Sequence, residues 1–181
     1  MANKVSLRQF QQDLAQRLSS AKDEPASAAR LGVQCGNAYW LIDLADAGEI
    51  VPVPELTPVP LTRPWFLGMA NIRGSLFSVA DFSAFSGGAP TPRGAENRLV
   101  LAGSRFGINA ALLVSRMLGL RNPLQFEAAS GGTMAAWAGR QWQESGRDTE
   151  QGGGRSAAER TWRELKVEHL VEDADFLNVG V

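Results

Sequence analysis

One cysteine (Cys35), one histidine (His169) and one tyrosine (Tyr39) occur in the 181 residues. That scarcity bounds the chemistry. A Cys–His dyad has to use Cys35 with His169, and a Ser–His–Asp triad has to use His169. A structural zinc site takes about four Cys or His ligands, so one chain cannot build it. A disulfide framework within one chain is impossible. Cys35 lies in an apolar segment, where a cysteine is usually a small buried hydrophobe. His169 sits in the mixed run KVEHLVED, which predicts a surface or half-buried ring. Glu172, Asp173 and Asp175 form a short solvated acidic run without EF-hand spacing. Acid–base chemistry needs two acids in one cleft. Only Glu49 and Asp81 are flanked by apolar strands, and nothing in the sequence brings them together. No phosphate-binding, dinucleotide or nucleophile-elbow motif is present. The glycine run at 152–154 follows no strand. These residues predict no enzyme, no metal and no cofactor.

Charge narrows the partners. With 18 basic and 19 acidic residues the formal net charge is −1, without the basic excess of an electrostatic nucleic-acid binder. Three of the basic residues are lysine (Lys4, Lys22, Lys166) and the rest are arginine. No stretch approaches the roughly 18 apolar residues of a membrane span. The opening MANKVSLRQFQQ has no secretory apolar run. A cytoplasmic chain with no membrane insertion is the expectation.

The elements that must position any site follow from periodicity. Leu7, Phe10, Leu14 and Leu18 predict a helix over 6–22, with Ser6 and Gln9 as a capping box. Packing on its own domain is the plainer use of that helix and docking to a partner the sharper one. Residues 23–29 read as a linker, so 1–29 is one unit and 30–177 another, with 178–181 as a tail. Beyond Leu31 the pattern turns to strands. Two flank a turn at Gly36-Asn37. Five prolines from Pro52 to Pro64 restrict that stretch to an edge strand and an extended crossing. Strands are predicted at 66–73 and 75–82, joined near Gly74. Others are expected at 98–101, 106–115, 136–142 and 162–167, then a helix over 168–177. In 106–115, Phe106, Ile108, Ala110, Leu112 and Val114 alternate onto one face, while Ala111 and Leu113 imply cover on the other. Residues 143–160 are polar and glycine-rich and predict a loop. Many short strands without intervening long helices predict a mainly-β fold with barrel-like closure.

Within this frame the run Trp65 to Gly74 stands out. It sets Asn71, Arg73, Gly68 and Gly74 in an apolar strand, where Asn and Gly are poor residues. The glycines predict a bulge, a turn or a close backbone approach. Arg73 needs a carboxylate, with Asp81 or Glu49 as candidates, or must reach solvent. It is also the residue type favoured at protein interfaces.

On these residues the sequence resembles the CheW-like chemotaxis coupling proteins. Their V-x-E-I segment corresponds to Ala47-Gly48-Glu49-Ile50. Their G-V-I-N-L-R-G corresponds to Gly68 through Gly74, and their strand ending V-D-L to Val79-Ala80-Asp81-Phe82. The resemblance spans roughly 30–177. Within the family, the tail from Trp162 to Val179 resembles the PilI-type branch of twitching motility. The resemblance implies two five-stranded SH3-like barrel subdomains. It implies a non-catalytic adaptor linking a methyl-accepting chemoreceptor to a CheA-like histidine kinase at receptor arrays. It places receptor contact at Glu49, Ile50, Asn71 and Arg73, and kinase contact at Ala47 and Gly68. Three positions depart from the pattern: the valine of V-x-E-I is Ala47, the proline before V-D-L is Ser78, and the aspartate of the second-barrel V-D-x-V is Ser115. The other readings are the same adaptor in flagellar chemotaxis, a small-ligand-binding β-barrel, and an esterase-like or other enzyme using His169.

Overall fold

The computed structural model describes residues 29–122, 126–129, 135–144 and 160–181. The expected helix over 6–22 and nearly all of the glycine-rich loop lie outside the described residues.

The described residues form two sheets of six strands. The first contains β1 (Arg30–Cys35), β2 (Ala38–Asp43), β9 (Arg116–Arg121), β10 (Phe126–Ala129), β11 (Ala138–Glu144) and β12 (Thr161–Leu165), in the order β10-β11-β12-β2-β1-β9. The second contains β3 (Ala47–Pro52), β4 (Leu56–Thr57), β5 (Phe66–Ile72), β6 (Ser75–Asp81), β7 (Arg98–Ala102) and β8 (Ala110–Val114), in the order β3-β7-β8-β6-β5-β4. Each sheet contains one parallel pair, β12 with β2 and β6 with β8. Among the described residues there are also three short α-helices: α1 (Phe82–Phe85), α2 (Val167–Glu172) and α3 (Ala174–Leu177).

Among the described residues, strand alternation builds three cores. One face of each sheet points to a shared core: Leu31, Val33, Cys35, Trp40 and Ile42 from the first, Ala80, Val100, Ala110, Leu112 and Val114 from the second. The opposite face of the second sheet encloses Ala70, Val79, Leu99, Leu101, Ala111 and Leu113. That of the first encloses Leu41, Phe126 and Trp162. Because side chains alternate with period two, neighbouring residues of β8 feed different cores, which is why all five are buried.

The mainly-β, CheW-like expectation holds, with six strands per sheet where the resemblance implied five. The two-residue β4 and the short β10 are among them, and neither β9 nor β10 was foreseen. Both lie at edges of the first sheet, where little periodic pattern is needed. The proline-rich reading is met: β3 and β4 are the two ends of the second sheet, so Pro52 lies where a missing N–H costs no central ladder bond.

Several boundaries move. The strand expected over 106–115 starts only at Ala110, because Ser104–Phe106 form a 3-10 turn closed by Gly107 at φ 68°. The strand expected at 136–142 runs from Ala138 to Glu144, after a turn in which Ala138 N–H donates to Ala135 O at 2.9 Å. The last strand is Thr161–Leu165, and the helix expected over 168–177 is two helices. Asp173 divides them: its carboxylate accepts from the N–H groups of Asp175 and Phe176, capping α3.

Candidate functional site

The β5–β6 hairpin has a two-residue connection, Ile72 pairing with Ser75. Both connecting residues have positive φ, Arg73 at 51° and Gly74 at 86°. That is the backbone of a type I′ turn, which matches the twist of the flanking strands. Asn71 Oδ1 accepts the Gly74 N–H at 2.9 Å and closes the loop. Glycine fits its position without strain, whereas arginine at positive φ is uncommon. The Asn-Ile-Arg-Gly run is therefore a turn that displays an arginine.

Arg73 Nη2 lies 2.6 Å from Glu49 Oε1, with side chains 78% and 40% exposed. This decides between the two expected partners. Asp81 is 1% exposed and faces elsewhere. It accepts from Ser83 N–H and Ala84 N–H at the start of α1, and from Thr91 N–H at 2.6 Å and Thr91 Oγ1 at 2.8 Å. Glu49 belongs to β3, well away from β5 in the order of the sheet. The ion pair therefore shows the sheet curling until its hairpin tip meets its opposite edge.

A bulge sets Glu49 at that edge. Ala47 pairs with Ala102 and Ile50 with Val100, so Gly48 and Glu49 together oppose Leu101. The extra residue exchanges the faces of β3. Ala47 packs on the shared core and Val51 on the second sheet's own core. Ile50 is 39% exposed. Glu49, Ile50 and Arg73 thus stand at one rim, with Asn71 exposed on the same hairpin.

Leu76 was not singled out from sequence. It is directly opposite Asn71 and 59% exposed. A two-residue turn fixes that register, so the Arg73-Gly74 turn was the signal that could have found it.

The two positions that the resemblance assigns to kinase contact are different in kind. Ala47 is half-buried and Gly68 is buried. Gly68 sits at a register shift in β5, at φ 120°, beneath the crossing chain. A Cβ there would fall inside contact distance of Thr57 O and 2.9 Å from Pro58 Cα. The expected bulge and close approach occur together at this residue.

The remaining chemically active types serve the fold. Cys35 is in the shared core, where burial pushes its thiol far above the ordinary range and the Asp81 carboxylate adds to the effect. His169 is exposed, with Nδ1 2.9 Å from Ala136 O. Two buried acids went unremarked in the sequence. Burial raises the Asp46 carboxyl even though Arg105 pairs with it. Burial also acts to raise Glu164, but hydrogen bonds from Arg30 and Lys166 outweigh it and hold this carboxyl below the usual range. Where the family pattern has an aspartate, Ser115 has a structural use: its Oγ accepts the Gly36 N–H at 2.9 Å. Among the described residues no group of three or more His, Cys, Asp and Glu could hold a metal, and no helix is long and apolar enough to cross a membrane.

A profile of the CheW-like domain matches residues 30–174. The chain belongs to this family. CheW-like proteins are non-catalytic scaffolds, and the enzyme readings of Cys35 and His169 fall away with that membership. Protein PilI of Pseudomonas aeruginosa is 27% identical over 109 residues, 60% of this chain and 61% of PilI. The match thus spans about three fifths of that relative's length. The scaffolding protein TtCheW of Thermoanaerobacter tengcongensis shares the CheW-like fold. Its TM-score is 0.62 at 15% identity, over 84% of this chain and 97% of that one.

Proposed function

We propose that this CheW-like chain couples a methyl-accepting chemoreceptor to a CheA-like histidine kinase, in a pathway that controls type IV pilus twitching motility. The observation that carries the reading is the rim formed by the Arg73 hairpin tip and the bulged edge strand. A protein that works by contact needs exposed, oriented side chains rather than a reactive centre. Here Arg73 is held by its turn and by Glu49, with Ile50 and Asn71 beside it. Those four residues form the receptor-facing side. Ala47 and Gly68 act on the kinase side through backbone placement, since neither offers a large exposed side chain. The likeness to PilI supports the pilus output over the flagellar one.

The test is binding and phenotype together. Arg73→Glu is expected to weaken receptor binding at least about tenfold while leaving the unfolding midpoint nearly unchanged, since exposed ion pairs contribute little to stability. Unaltered binding by the charge-reversed protein would remove Arg73 from the interface. Deleting the gene should abolish surface twitching and spare swimming; the reverse pattern would assign the adaptor to flagellar chemotaxis.

One observation favours a ligand-binding reading. A cleft of about 560 Å³ lies between the crossing residues Val53 to Pro58 and the loop carrying Thr91, Arg93 and Asn97, over Leu67 and Leu113. Its size suits a small ligand. A metabolite that raises the melting temperature and loses this effect in Leu67→Arg would establish that role.

A further inference from the structure

The described chain starts at Ala29, and 28 residues precede it. Its point of entry is fixed. Ala29 O accepts the Leu44 N–H at 3.3 Å, and Arg30 pairs with Glu164. Glu164 also binds Lys166 Nζ at 3.0 Å, and Lys166 is the N-cap of α2. The preceding segment therefore joins the fold beside the start of the α2–α3 pair.

The α2–α3 pair is buried on one side only. Val167, Leu170, Val171 and Phe176 face inward. Glu168, Glu172, Asp175 and Leu177 are exposed, and none of these three carboxylates makes an ion pair among the described residues. Immediately beyond, the tail lies along the proline-rich crossing. Arg63 N–H donates to Val179 O at 2.8 Å and Val181 N–H to Leu61 O at 3.1 Å. This ladder sets Leu61 opposite Val181, at 81% and 83% exposed, and Leu61 holds φ 58°. Leu177 is 56% exposed. The surface is aliphatic and acidic at once.

Residues 1–22 are its chemical complement. Leu7, Phe10, Leu14 and Leu18 recur at helical spacing, and Lys4, Arg8, Arg17 and Lys22 stand against the single acid Asp13. Reach is sufficient. The six residues 23–28 span up to about 20 Å when extended, a helix over 6–22 is about 25 Å long, and the ten residues of α2 and α3 cover about 15 Å. A helix of that length is marginal in water unless an apolar face is buried.

We propose that residues 6–22 form an amphipathic helix that docks within the same molecule on the α2–α3 face. Its leucines and Phe10 cover Leu177 and the neighbouring aliphatics, and its basic side chains meet Glu168, Glu172 and Asp175. This is independent of the adaptor reading.

Hydrogen–deuterium exchange on the full chain tests it, with the isolated 1–28 peptide as reference. Amides of 6–22 are expected to exchange at least about tenfold more slowly in the full chain, at every protein concentration. The triple variant Glu168→Lys/Glu172→Lys/Asp175→Lys should bring them within about twofold of the peptide. Adding Arg8→Glu, Arg17→Glu and Lys22→Glu should restore protection. Unchanged exchange of β7 and β8 verifies that each variant is folded. Exchange equal to the peptide's in the parent chain overturns the proposal, as does protection that survives the triple reversal. Protection that grows with concentration assigns the segment to a second copy and overturns docking within one molecule.

Discussion

Gly68→Ala isolates what the crossing chain demands of β5. Two costs add. At φ 120° an alanine is strained by about 1–3 kcal/mol. The new methyl also meets the backbone of Thr57 and Pro58, and overpacking of this kind costs about 1–3 kcal/mol. Backbone cannot rotate aside as a side chain can, so the sum, about 2–6 kcal/mol, falls on a total stability of about 5–15 kcal/mol. Two other glycines calibrate it. Gly74 has φ 86° but open space around its Cβ position, so Gly74→Ala carries only the conformational part, about 1–2 kcal/mol. Gly180 has neither, and Gly180→Ala should lie within about 0.5 kcal/mol of the parent. The assay is urea unfolding followed by tryptophan fluorescence, since five tryptophans report on the fold. With an m-value of about 2 kcal/mol/M, Gly68→Ala should lower the midpoint by about 1–3 M. A fall of less than about 0.5 M, or one equal to that of Gly74→Ala, would refute the claim that Gly68 is required by close backbone approach. Kinase binding measured well below the variant's midpoint then separates a displaced crossing from simple unfolding.

Three more outcomes follow from the same structure. The exchange Glu49→Arg/Arg73→Glu should keep stability within about 1 kcal/mol of the parent, because the pair is exposed, yet impair receptor binding if, as proposed, a partner reads the sign at each position; calorimetry and a pull-down check the two halves. Asp81→Ala should cost about 3–5 kcal/mol by chemical denaturation, since it strips partners from the N–H groups of Ser83, Ala84 and Thr91 in a buried site. Glu164 has a depressed carboxyl in the fold, so its stabilisation is complete above the unfolded value near 4.3 and is lost as pH falls through the lower folded value. Glu164→Gln should therefore flatten the acid limb of a stability–pH curve; an unchanged limb would show that Arg30 and Lys166 do not hold it.

Local chemistry made much of this legible before any coordinates. Gly74 is a turn residue whatever surrounds it, whereas Arg73, expected in the strand, falls in the turn at φ 51°. The prolines exclude a central strand. The α2–α3 break at Asp173 was legible in principle, as capping chemistry, but the apolar periodicity of the segment masked it. The strands β9 and β10 gave no such signal, because an edge strand needs little alternation. Gly107 delayed β8 by four residues because a single positive φ overrode a good alternating pattern.

Pairings over long distances belong to the tertiary structure. Nothing local distinguishes Glu49 from Asp81 as the partner of Arg73. Only the curl of the sheet brings the hairpin tip to β3, and only the bulge at Gly48 and Glu49 turns that carboxylate outward. Burial of Gly68 under Thr57 and Pro58 is a contact between chain segments about ten residues apart. The sequence by itself determined the residue types, the turn chemistry and the absence of a second histidine or cysteine. The tertiary structure decided which charges meet and which glycine lies beneath another backbone, because those outcomes depend on sheet curvature and register, to which many residues contribute a little and none contributes alone.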